Sequence, residues 1–122
     1  MQTKAVAKLI LILLTCWLTG CASLDQSLRE SESPIAQIAS SPNTFAVCKA
    51  ADVLSTAKLL ETGKFVEANP VIAATLQHGY FPLIAISFAL WYALREIDSP
   101  SATLAANVIT CGVAAHNISL FP

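Results

Sequence analysis

"VIAATLQHGYFPLIAISFALWYAL", residues 71–94, runs for 24 residues without a formal charge. As one helix it would be about 36 Å long, enough to cross a hydrocarbon core of about 30 Å. Gly79 and Pro82 argue against a single helix, because glycine favours helix ends and proline removes a backbone donor. Two helices are therefore expected, a short one over 70–78 and a longer one over about 81–95. Asn69 is a good N-cap for the first, and Pro70 a good opening residue. Trp91 and Tyr92, near the end of the second, suit a membrane–water interface.

Downstream, "REIDSPS" at 95–101 is a polar turn, in which Ser99 can cap a helix opened by Pro100. Ser99 to Pro122 is again charge-free for 24 residues, and it is rich in Ala, Gly, Ser and Thr. Small residues let membrane helices approach closely. The two segments read as a hydrophobic helical hairpin inserted over about 81–95 and 101–120. A soluble hairpin within a bundle is the alternative.

Upstream, residues 44–62 read as a helix capped by Thr44 or Asn43 and ended by a left-handed Gly63. Lys49, Asp52, Ser55, Thr56 and Thr62 form one polar stripe, opposite Val47, Ala50, Val53, Leu54, Ala57 and Leu60. A Lys or Asp costs about 2.5–3.5 kcal/mol at a bilayer centre. This helix is therefore expected at an interface, or in a bundle with its stripe turned inward and Lys49 neutralising Asp52 three residues on. Residues 22–43, rich in Ser, Ala, Gln and acids and interrupted by Pro34 and Pro42, read as a flexible tether.

The first twenty residues hold Lys4, Lys8, the aliphatic run Leu9–Leu14, then Trp17 and Leu18. That core is too short for a comfortable span of ~20 residues and has the length of a signal-peptide core. Leu18-Thr19-Gly20-Cys21 resembles the lipobox of bacterial lipoproteins. The resemblance implies a diacylglyceryl group on the Cys21 thiol, cleavage before it, and acylation of the new amino end. More than one acyl chain is what stable anchoring requires. The chain then divides into a signal peptide, 1–20, a lipidated tether, 21–43, and a small helical membrane domain, 44–122. The alternative is an uncleaved N-terminal anchor in which Cys21 is an ordinary buried thiol.

From Ala22 onward five basic residues face eight acids, a balance of −3 that offers no basic patch for nucleic acid. Only 12% of the chain is charged, against about 25% in a soluble domain, which points to a membrane. With Cys16 in the leader and Cys21 acylated, Cys48 and Cys111 are left. They are expected either as a disulfide or as two buried thiols.

Asp52-x-x-Ser55-Thr56, Gly63, Glu67-x-Asn69-Pro70 and two hydrophobic segments with Asn107 in the last resemble a family of small bacterial integral membrane proteins. That family is known only as a domain of unknown function. The resemblance covers residues 45–121 and implies a compact helical membrane protein. Family members often carry a basic residue early in the segment after the Asn-Pro helix, and Tyr80–Phe88 has none.

Ionisable groups at membrane depth are costly and often functional. Asp52, Thr56, Glu67, Asn69 and Asn107 are therefore the candidate polar site, for a cation or small polar ligand with Asp52 as its charge. His78, His116 and Asn117 complete the polar set. No HxxxH, HExxH or CxxC spacing signals a metal, and no Gly-x-Ser-x-Gly frame or phosphate-binding loop signals catalysis. Against the ligand reading stands a structural one, in which Asn69 caps a helix and Asn107 and Asn117 bond neighbouring helices.

The expectation is an all-α, non-enzymatic, lipid-anchored accessory or interaction protein of the bacterial envelope, with no cofactor. The bilayer is its partner through acylated Cys21 and the hydrophobic helices, with a membrane protein or a second copy of the chain as further partners. The alternatives are a membrane-embedded binding or transport-related protein centred on Asp52, and a small lysis or envelope-stress lipoprotein. Ala22 lacks the Asp that marks inner-membrane retention in lipoproteins, which by itself directs the chain to the outer membrane. A hairpin in lipid argues instead for the inner membrane, with Cys21 on its outer face.

Overall fold

The computed structural model describes the backbone of residues 2–122 and all their side chains except those of 2–6, 9, 13 and 16–19. The expected lipobox side chains Leu18 and Thr19, with Cys16 and Trp17, lie outside that description. The described chain is all-α: α1 (Gln2–Glu30), α2 (Pro34–Ala39), α3 (Pro42–Glu61), α4 (Pro70–Leu76), α5 (Phe81–Ile97) and α6 (Pro100–Ser119).

Prolines set the starts. Pro34, Pro42, Pro70, Pro82 and Pro100 each stand at the first or second position of a helix. There the missing N–H is one that no helix would satisfy, and φ is already helical. Side-chain oxygens then accept the free backbone donors: Ser41 from Asn43 N, Asn69 from Val71 and Ile72 N, and Ser99 from Ala102 N. The cap of α3 is thus Ser41 rather than Asn43 or Thr44, because Pro42 moves the start upstream. Gly63 (φ 67°) and Gly79 (φ 87°) follow the ends of α3 and α4. Asp98, at φ 49°, closes α5 in the left-handed region that Asp tolerates better than most residues.

The expected tether takes another form. α1 runs unbroken to Glu30 and α2 follows at once, so most of 22–43 is helical. Tertiary contact overrides composition here: Asp25 accepts from Ser101 N (2.7 Å) and Ser99 Oγ (3.1 Å), and Arg29 pairs with Asp98 (3.3 Å). These bonds dock the end of α1 on the turn between α5 and α6.

α3 is the centre of the fold. α6 packs along it, and α5 packs against α3 and α4. Ser41 meets Asn107, Cys48 meets Cys111 and Asp52 meets Asn117, so α3 and α6 run in the same direction. The expected α5–α6 hairpin is corrected on this point. The two helices share a short turn but hardly touch beyond it, since each finds its partner in α3. The buried apolar side chains are few, Phe45, Leu59, Leu83 and Ala114 among the described residues. The accessible surface, 8770 Å², exceeds the roughly 6,300 Å² of a compact monomer of this mass.

No described helix is long and apolar enough to cross a membrane. α5 has 17 residues, about 25 Å of helix. α6 has 20, but Ser101, Thr103, Asn107, His116 and Asn117 lower its hydropathy. The inserted spans expected over 81–95 and 101–120 thus lack spanning helices.

Candidate functional site: a polar cleft beside Asp52

Asp52 stands midway along α3, with only 8% of its surface exposed. Its Oδ2 accepts from Lys49 Nζ at 2.8 Å, across the one helical turn that the sequence spacing implies. Its Oδ1 accepts from Asn117 Nδ2 at 3.3 Å, and the same amide donates to Thr56 Oγ1 at 3.0 Å. Asn117 thereby joins two residues one turn apart on α3 to the end of α6. Local spacing does not show this pairing; the parallel packing of α3 and α6 creates it.

This cluster forms one wall of a cleft of about 460 Å³ between α3, the 65–69 loop and α6. Glu67, Asn69 and His116 line it too. Glu67 Oε1 accepts from Asn69 N at 2.9 Å, and Asn69 Oδ1 caps α4, so these two hold the loop that forms the opposite wall. Asp52, Thr56, Glu67 and Asn69 are therefore brought to one cleft, as the candidate site requires. The apolar share of the wall comes from Leu59, Ile72, Leu83 and Val113.

Asn107 is corrected as a member of this site. It is 3% exposed and donates to Ala39 O (2.7 Å) and Ser41 O (3.0 Å), fastening α6 to the α2–α3 junction. Its Oδ1 is buried without a donor. The cause lies in register: Asn107 and Asn117 are ten residues apart on α6, so they meet α3 at different heights. His78 is exposed and outside the cleft, and among the described residues no three His, Cys, Asp or Glu side chains are grouped to hold a metal.

Asn117, expected only as a member of the wider polar set, joins the site by linking Asp52 to Thr56. One group escaped the sequence reading altogether. Asp25, inside the supposed tether, sits at the N-terminus of α6, where an anion is favoured by the helix dipole. The Ser101 hydroxyl, then its backbone N–H, hold its carboxyl below the usual aspartate value against the opposing effect of burial, with lesser help from Ser99 and Arg29.

Cys48 and Cys111 form a disulfide between α3 and α6, with Cα atoms 4.8 Å apart. Of the two expected states, the bond is the one present. Cys21 is a free thiol, half-buried on α1.

Comparison of the chain with protein-family models, with curated proteins and with solved structures finds no match.

Proposed function

We propose that this chain is a lipid-anchored helical protein of the bacterial envelope, with an accessory or interaction role and no chemistry of its own. The observation that carries the reading is the division of its cysteines. Cys48 and Cys111 are paired, as in a compartment that permits disulfides, while Cys21 stays a thiol behind Leu18-Thr19-Gly20. A chain exported under a lipobox leader has this pattern.

The helical domain is read as membrane-associated. Large exposed apolar side chains in number, among them Phe81, Phe88, Val47, Leu54, Val108 and Ile109, mark a contact surface. Since α5 is about 25 Å long, the association is interfacial, with the acyl chains of Cys21 as the anchor. With no inserted hairpin to hold the chain at the inner membrane, Ala22 behind the acylated Cys21 favours the outer membrane within this reading.

Intact-mass measurement on chain extracted from membranes of a lipoprotein-competent host tests it. The expected species begins at Cys21 and carries added acyl mass. A full-length, unmodified chain refutes the proposal.

A second reading, a binding role for the Asp52 cleft, is favoured by the gathering of Asp52, Thr56, Glu67 and Asn69 on one cavity. Asp52→Asn, with membrane association unchanged, would abolish function under this reading and leave an accessory role intact.

A further inference from the structure

A second hollow lies on the other side of α3. Ala46, Ala50 and Val53 of α3 and Ile84, Phe88 and Trp91 of α5 line an open groove of about 500 Å³. Its size is that of a small-molecule site, and its walls are almost wholly apolar. The lining side chains that form its rim are apolar and still exposed: Leu54 67%, Phe88 63% and Ile84 55%. An occupant that filled only the groove would leave this rim in water. A bilayer would cover both.

Charge narrows the choice. No acidic residue lines it among the described residues, and Lys49 lends its wall a stem whose ammonium is already paired with Asp52. The Arg95 guanidinium stacks over the Trp91 ring at 4.9 Å, at the same end of α5. The groove is thus apolar along its length and cationic beside Trp91, which complements an acyl chain carrying an anionic headgroup. Position agrees. Asp25 is bonded to the N-terminus of α6, and Cys21 lies four residues, about 6 Å of helix, before it. An acylated Cys21 therefore holds the α5–α6 turn, and Arg95 close to it, near lipid.

We propose that the groove between α3 and α5 takes one acyl chain of an anionic phospholipid from the bilayer that anchors Cys21, with its phosphate beside Arg95. The anchor and the groove then fix the domain at two points, which sets its orientation on the membrane. The source of the lipid rests on the lipoprotein reading above.

The test uses the full chain with Trp17→Phe, so that Trp91 is the one indole whether or not the leader is removed. The protein is extracted in mild detergent and reconstituted into phosphatidylcholine vesicles. Phosphatidylglycerol with brominated acyl chains is then titrated in, and Trp91 fluorescence is read. Saturable quenching is expected, and brominated phosphatidylcholine at the same mole fractions should not reproduce it. Ala50→Phe, which fills the groove, should remove the saturable part while the Cys48–Cys111 bond persists on a non-reducing gel. Arg95→Gln, an exposed change that spares the fold, should weaken the half-quenching point about fivefold, the worth of one basic residue near an anionic surface. Equal quenching by both lipids, or quenching indifferent to Ala50→Phe and Arg95→Gln, overturns the proposal. So does displacement by free palmitate at lower concentration, which would assign the groove to a fatty acid. A groove closed by a second copy of the chain would give no quenching at any composition, and that result overturns the proposal too. Intact mass of the same sample reports lipidation separately, so failure of the anchor and failure of the groove are distinguishable.

Discussion

Asn117, near the end of α6, donates its side-chain amide to Asp52 Oδ1 at 3.3 Å and to Thr56 Oγ1 at 3.0 Å on α3. With Lys49 on the other carboxylate oxygen at 2.8 Å, both oxygens of the Asp52 carboxylate are engaged within the fold. Such a network rigidifies a site when it is complete and is costly when one member is lost.

Asn117→Ala should destabilise the domain by about 1–3 kcal/mol, because it leaves a buried carboxylate oxygen and a hydroxyl short of a donor. Thermal unfolding followed by circular dichroism checks this. Asn117→Asp should cost more, since a second carboxylate would face Asp52, and the deficit should shrink in acid as the new pair takes up a proton. Equal melting of Asn117→Ala and the parent would show that the α3–α6 contact is held by other means.

The disulfide closes a loop across a separation of 63 residues. The loop-entropy relation gives about 4 kcal/mol for that length, and observed values usually fall at about 2–4 kcal/mol. Replacing Cys48 and Cys111 together by Ala should therefore lower the denaturant midpoint substantially. The parent, and not the double variant, should run faster on a non-reducing gel than after reduction.

Docking of α1 should depend on pH. The Ser101 hydroxyl and N–H, Ser99 and Arg29 lower the Asp25 carboxyl in the folded chain below its ordinary value of about 3.9. The unfolded chain therefore binds the proton first, and the contribution of Asp25 is present above about pH 4. It is lost as pH falls through the lower, folded value. Protection of the Ser101 amide, the slowing of its exchange relative to an unstructured chain at the same pH, should be high at neutral pH and fall in that acid range. Asp25→Asn should show the low protection at every pH.

Asn69 satisfies two free donors at the start of α4, Val71 N and Ile72 N. Asn69→Ala should cost about 1 kcal/mol, and Asn69→Asp, which keeps the acceptor, little. Because α4 has only seven residues, the loss should appear as faster exchange at Val71 and Ile72 before any change in global melting. Protection at those amides unchanged in Asn69→Ala would contradict the cap.

Much of the helical outline was legible in the sequence, because a helix start is decided within a few residues. Pro70 behind Asn69 and Pro100 behind Ser99 bring their own φ and their own acceptor, and Gly63 and Gly79 supply the left-handed turns. The scarcity of charge and the gathering of polar residues on one stripe of α3 were equally local facts. Partners distant in the chain were not legible. Asp25 and Ser101 are 76 positions apart, and Asp52 and Asn117 are 65. Neither pairing leaves a trace in spacing or composition. α3 as the hub, the splaying of α5 from α6, the docking of the supposed tether and the separation of Asn107 from Asp52 all follow from which helix faces meet and in what register. Several amphipathic faces of similar length compete for the same apolar cover, so only packing in three dimensions decides among them.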